Sequence, residues 1–123
     1  MRILILDDNA DALLVLENFL KALGHDVSGY TDGTEALLWL GDVKPELIIA
    51  DLEMPNMDGF AFVQNVRARA RYLQLPIICI TGTDASDEQI AKGGFAAILR
   101  KPTTLADVMM AIEDVTAGLQ PSA

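Results

Sequence analysis

The sequence holds a single cysteine and a single histidine in 123 residues, so intrachain disulfides are impossible and a metal site built on paired cysteines is excluded. The lone Cys79 falls in the apolar stretch 76–80 and is expected to be a buried thiol. Long apolar runs are missing as well. The uninterrupted ones, such as 3–6 and 47–50, are only a few residues long, against the roughly 20 that a bilayer-spanning helix needs. At the N-terminus, Arg2 precedes four apolar residues and then two aspartates, which lacks the longer apolar region and small-residue cleavage site of a secretory signal; a cytoplasmic home is expected. Cations are scarce too. Nine lysines and arginines face eighteen acidic residues, a net charge of −9, which opposes the phosphate neutralisation that drives nucleic-acid binding. Direct contact with DNA or RNA is not expected.

What is present suits one domain with a sizeable core, since 51% of the residues are hydrophobic and 22% charged. Short apolar or β-branched runs at 2–6, 26–30, 46–50, 76–81 and 96–100 read as five strands alternating with helical patterns. Four of the runs are almost continuously apolar, as strands covered on both faces must be; the second is more polar and belongs at an edge. The first helix, over 10–23, places Leu13, Leu16, Leu20 and Leu23 on one stripe and stops at Gly24. The second opens with Asp32 and Glu35 at capping-box spacing and is predicted to reach Leu40, ahead of Gly41 and Pro45. The third is predicted over 59–71 and a short fourth over 86–92, closed by Gly93 and Gly94. A fifth, over 104–117, is expected to bury Leu105, Val108, Ile112 and Val115, with 118–123 a flexible tail. Strand–helix repeats joined by right-handed crossovers make a doubly wound α/β sandwich, whose ligand site lies beyond the carboxyl ends of the strands.

That edge carries a distinctive set of polar residues. Asp7 and Asp8 follow the first strand, Asp51 closes the third, Thr81 the fourth, and Lys101 and Pro102 follow the fifth. Carboxylates about 5 Å apart repel by roughly 3 kcal/mol per pair at an effective dielectric near 20. A hard divalent cation relieves this, and an all-oxygen donor set without histidine or cysteine suits magnesium better than zinc. Taken singly, an Asp-Asp pair after a strand is most often a helix cap; in register with Asp51 and Lys101 it reads as a site. Pro55 and Gly59 read as loop-shaping residues, Asp58 as a helix start and His25 as a solvated loop residue. Trp39, Met109 and Met110 read as packing or partner surface.

The set Asp7-Asp8, Asp51-Leu52-Glu53-Met54-Pro55-Asn56-Met57-Asp58-Gly59, Thr81-Gly82 and Lys101-Pro102 resembles the receiver domain of two-component response regulators over about residues 1–117. The resemblance implies a flavodoxin-like (βα)5 fold with strand order 2-1-3-4-5. It makes Asp51 the nucleophile that takes a phosphoryl group from a phosphohistidine. It implies magnesium held by Asp8, Asp51 and the backbone carbonyl of Glu53, with Asp7 acting mostly through water. Thr81 is to donate a hydroxyl to a phosphoryl oxygen, and Lys101, before a cis proline bond, to offset the phosphoryl charge. Implied partners are a histidine kinase or histidine phosphotransfer protein, docking around Ala12 and Leu13, and a downstream protein. A chain of this length is expected to be a stand-alone receiver or a piece of a hybrid kinase or larger regulator. The family usually carries an aromatic residue three positions before the lysine, where this sequence has Ile98. Phe95, three residues earlier still, is expected on the opposite strand face. Because of Ile98, a second reading is a non-phosphorylated interaction module. A haloacid-dehalogenase-type phosphatase fits poorly, since its two aspartates are not adjacent, and a flavodoxin poorly, since the first loop is acidic.

Overall fold

The computed structural model describes residues 1–117; the expected tail, 118–123, lies outside them. Five strands, β1 (Arg2–Leu6), β2 (Asp26–Tyr30), β3 (Leu47–Asp51), β4 (Ile77–Thr81) and β5 (Ala97–Arg100), form one parallel sheet in the order β2-β1-β3-β4-β5. Between and after them run α1 (Ala10–Ala22), α2 (Gly33–Val43), α3 (Gly59–Arg67), a single 3-10 turn (Ala70–Tyr72), α4 (Asp87–Lys92) and α5 (Leu105–Thr116). This is the flavodoxin-like arrangement expected, with the polar strand β2 at an edge.

Strand alternation sorts the apolar side chains into two layers. Leu4, Leu6, Ile48, Ala50, Ile77 and Cys79 pack with α2, α3 and α4 through Ala36, Leu40, Phe62, Val63, Val66 and Ile90. Ile3, Ile5, Leu47, Ile49, Ile78 and Ile80 pack with α1 and α5 through Leu13, Leu16, Leu20, Val108, Ala111 and Ile112. Cys79 is fully buried and its thiol is pushed up to about 12 by desolvation, as expected of a structural cysteine.

Several boundaries differ from the sequence reading. α1 ends in a Schellman turn: Gly24 is left-handed (φ +93), and His25 N–H and Gly24 N–H donate to the carbonyls of Leu20 and Lys21. Leu23, expected in the apolar stripe, thus sits past the last turn and is 47% exposed. α2 runs through Gly41 to Val43, because Val43 gains contact with the core and one helical glycine costs only about 1 kcal/mol. Pro45 excludes the helical region for Lys44, which caps α2 in the left-handed conformation. α3 stops at Arg67 rather than at residue 71. The chain there turns inward to bury Tyr72, whose hydroxyl donates to the Leu40 carbonyl at 3.2 Å. On α5, Leu105 is exposed and Val115 only half-buried, while Ala111 is buried in the core.

Two glycines separate space from conformation. A Cβ on Gly59 would lie 2.6 Å from the Asp51 carbonyl oxygen and 2.8 Å from Leu52 Cα, both backbone, whereas one on Gly41 meets nothing within 4 Å. Gly59→Ala is expected to lose about 1–3 kcal/mol, and Gly41→Ala to gain about 0.5–1 kcal/mol. Urea denaturation of both variants checks the pair; equal effects would contradict the close approach at Gly59.

Candidate functional site

Parallel pairing brings the acidic residues together. Leu6 pairs with Ala50 across β1 and β3, so Asp7, one residue on, lies beside Asp51. Asp51 pairs with Ile80, and Thr81 with Arg100. Lys101 follows directly, its N–H donating to the Thr81 carbonyl at 2.8 Å. Carboxylate oxygens of Asp7, Asp8 and Asp51 all lie within 4.8 Å of one another. Asp51 is 3% exposed and Asp7 largely buried, while Asp8 faces solvent.

Each carboxylate has its own support. Glu53 N–H donates to Asp51 Oδ1 at 3.0 Å, and Lys101 Nζ donates to Asp51 Oδ2 at 2.8 Å. Asn9 N–H donates to Asp7 Oδ1 at 2.9 Å, and Lys101 Nζ stands 3.7 Å from Asp7 Oδ2. Asn9 then caps α1 with its own side chain, so the Asp-Asp pair is not the helix cap. Burial pushes the Asp7 carboxyl above its ordinary value, and Asp51 and Asp8 push it further, against the Asn9 N–H and the Lys101 charge. At Lys101, desolvation works against the charged form, but the Asp51 hydrogen bond and the three carboxylates outweigh it and raise its pKa. The Lys101-Pro102 peptide is cis.

Three carboxylates share one ammonium, an excess of two negative charges in a largely buried corner. Oxygen donors and that excess fit a hard dication. The Glu53 side chain is exposed and stands outside the carboxylate trio. Thr81 is fully buried at the end of β4, and its hydroxyl engages Thr83 instead of the carboxylates: it donates to Thr83 Oγ1 at 3.1 Å and accepts from Thr83 N–H at 3.0 Å.

Residues outside the cluster fall mostly where the sequence placed them. Asp58 caps α3; Trp39, Met109 and Met110 lie on the surface. His25 is half-buried in the α1–β2 turn, with Nδ1 3.1 Å from the N-terminal ammonium. Two expectations are corrected. Leu13, assigned with Ala12 to a docking surface, is buried under α1; Ala12 is exposed, and Leu14 and Val15 are the large exposed apolar residues of that helix. Phe95 is not opposed to Ile98. It precedes β5, so strand alternation does not reach it, and both residues pack into the layer under α3 and α4. Phe95 meets Phe60 edge-on at 6.1 Å. Arg100, which the sequence reading passed over, ties down the loop after β4; its one signal was a second cation directly before Lys101.

Ionised Asp7 sits among like charges in the cation-free protein. A raised carboxyl pKa means the folded state loses stability as pH climbs above the ordinary value of 3.8. Asp7→Asn keeps an oxygen to accept the Asn9 N–H, so it is expected to stabilise the cation-free domain by roughly 1 kcal/mol at neutral pH, a few degrees in Tm. The gain fades as pH drops below the carboxylate range, where wild-type Asp7 is already neutral. Thermal melts in chelator at several pH values check this; a destabilised variant at neutral pH would contradict it.

Comparison with known proteins agrees with the geometry. The chain is 32% identical over 91% of its length to the transcriptional regulatory protein PrrA of Mycobacterium leprae, spanning 48% of that protein. It is 33% identical over 85% of its length to the sensor histidine kinase RcsC of Escherichia coli, spanning 11% of it. The chain therefore spans about half the length, or less, of these curated relatives. Its structure superposes on the chemotaxis response regulator CheY4 of Vibrio cholerae with a TM-score of 0.86 at 28% identity, covering 92% of this chain and 96% of that one. The receiver domain of a Pseudomonas aeruginosa sensor histidine kinase, crystallised with magnesium in its active site cleft, gives 0.84 at 25% identity, covering 94% and 97%. Residues 3–113 match the response regulator receiver domain family, and the chain belongs to that family: it is a receiver domain of two-component signalling.

Proposed function

We propose that this receiver domain is phosphorylated on Asp51 and that magnesium, held by Asp8, Asp51 and the Glu53 carbonyl with Asp7 behind it, supports the transfer. The observation that carries this is the buried Asp51 carboxylate, tied to Lys101 at 2.8 Å inside a cluster with two negative charges uncompensated. When bound, magnesium supplies charge for phosphoryl oxygens. The chain's own residues do the rest. Glu53 N–H and Lys101 fix the orientation of the Asp51 carboxylate. One of its oxygens attacks phosphorus, the bond from phosphorus to the donor histidine breaks, and the imidazole leaves with the electron pair and takes a proton. Lys101, already within reach of the nucleophile, offsets the incoming charge. The Thr81 hydroxyl then moves from Thr83 to a phosphoryl oxygen, so that the modified protein prefers a different loop conformation.

The donor on this reading is a histidine kinase or histidine phosphotransfer protein. A groove of about 440 Å³ between α1 and the start of α5, lined by Ala12, Val15, Leu105 and Val108, opens beside Asp7 and Lys101. A protein seated there presents its histidine to Asp51. Among the described residues no helix is long and apolar enough to cross a membrane, and a cytoplasmic location belongs to the same reading.

Acetyl phosphate with magnesium is expected to leave a phosphoryl group on the peptide containing Asp51, seen by mass spectrometry, and none in Asp51→Asn or in chelator. Asp8→Ala is expected to weaken magnesium binding at least tenfold, since loss of even an outer-shell partner costs about 10–100-fold in metal affinity. A folded, magnesium-saturated wild-type protein that stays unlabelled would favour the non-phosphorylated interaction module.

A further inference from the structure

The loop after β4 has two faces. On its inner face, the Thr81 hydroxyl donates to Thr83 Oγ1 at 3.1 Å and accepts from Thr83 N–H, and Thr83 Oγ1 in turn accepts from Ala85 N–H at 3.3 Å. On its outer face, the carbonyls of the same two residues point to one side chain. Arg100 donates through Nη1 to the Thr83 carbonyl at 3.0 Å and through Nη2 to the Ala85 carbonyl at 2.7 Å. The same Nη2 also meets Asp87 Oδ1 at 2.6 Å, at the first turn of α4.

A buried hydroxyl does not give up its partner unless another is offered. For Thr81 to turn its proton toward a phosphoryl oxygen it must leave Thr83 Oγ1, and the turn over 83–85 must rearrange as it does. Arg100 grips that turn from outside at Thr83, which holds Thr81, and at Ala85, whose N–H holds Thr83 Oγ1. We infer that Arg100 is a positioning residue for the phosphoryl switch: by clamping the Thr83 and Ala85 carbonyls it parks the Thr81 hydroxyl on Thr83 and holds the domain in its resting state. The inference rests on the phosphoacceptor reading and adds to it a restraint that acts before any phosphoryl group arrives.

The chemistry of the grip decides which substitutions release it. The side chains of Arg100 and Asp87 are 42% and 81% exposed, so their ion pair is screened and contributes little. The planar guanidinium reaching two carbonyls at once contributes more, and an ammonium does not reproduce that fork. Adjacent cations thus divide the work at the end of β5: Lys101 turns inward to Asp51, and Arg100 turns outward to the loop.

Two measurements on the whole chain test this. In the ligand-free protein, Arg100→Gln is expected to speed amide hydrogen exchange of Thr83 and Ala85 by about threefold to tenfold, the loss of one or two exposed hydrogen bonds, with the core amides unchanged. With magnesium and beryllofluoride, the same variant is expected to bind the phosphoryl mimic more tightly by a similar factor, since less of the population is held in the resting loop. Arg100→Lys should behave like Arg100→Gln, Asp87→Asn should stay within about twofold of wild type, and Arg100→Gln should add nothing in a Thr83→Val background, where the parking site is gone. Unchanged exchange at Thr83 and Ala85, unchanged or weaker beryllofluoride binding in Arg100→Gln, or full rescue by lysine would each overturn the inference. A wild-type protein that binds no beryllofluoride would instead remove the phosphoacceptor reading, while the exchange measurement would still decide whether Arg100 holds the loop.

Discussion

Parallel pairing of five strands is the constraint on which the chemistry of this domain depends. When every strand runs the same way, the residues that end them are delivered to one edge, and here those residues are three carboxylates, a threonine and a lysine. The sheet is held by apolar side chains on both faces, so the fold can keep like charges within 4.8 Å of one another. Electrostatics alone would disperse them; the register of β1, β3 and β4 does not allow it. Lys101 answers that repulsion from within, bridging to Asp51 and standing 3.7 Å from Asp7, and it also pins the turn after β5 to the end of β3. The uncompensated remainder makes the corner receptive to a cation and, on the proposed function, to a phosphoryl group after it.

Most of this was legible in the sequence because its causes are local. Apolar runs covered on both faces announced a parallel sheet, and the residue after each run fell at the reactive edge. Asp51, Lys101 and Thr81 could therefore be placed without knowing any distance. What the sequence did not disclose depended on the path of the chain in three dimensions. Gly41 looked like a stop, yet the burial of Leu40 and the contact made by Val43 outweigh its weak helix preference. Phe95 looked opposed to Ile98 because strand alternation was carried past the start of the strand; Phe95 precedes β5, and both side chains pack into one layer. Leu13 was offered both to the core and to a partner, and only the packing of α1 on the sheet assigns it to the core.

Arg100 shows a different limit. Nothing in a pattern of apolar and polar residues reveals that a surface arginine aims at two main-chain carbonyls seventeen and fifteen residues away. Its contribution exists only where β4 and β5 are paired, because the pairing of Thr81 with Arg100 brings the guanidinium over the loop that follows β4.

Ile98 sharpens the question of how a signal leaves the site. An isoleucine has no aromatic ring to swing into the space that a departing threonine opens, so on the proposed switch the change travels through the loop or through smaller repacking. That loop is short and leads into α4 of only six residues, capped by Ser86 and Gln89 in a reciprocal pair and bearing Asp87 in its first turn. Moving Thr83 therefore pulls on the N-terminus of α4 directly, through three residues of chain, and in the resting state through Arg100 as well, because the same guanidinium touches Thr83, Ala85 and Asp87. Release of one carbonyl weakens the geometry of the others, since a planar fork cannot follow a turn that rotates beneath it. On the proposed switch, a hydroxyl moving by a hydrogen-bond length at Thr81 is thus coupled to the position of a helix end at the surface through the contacts of Arg100.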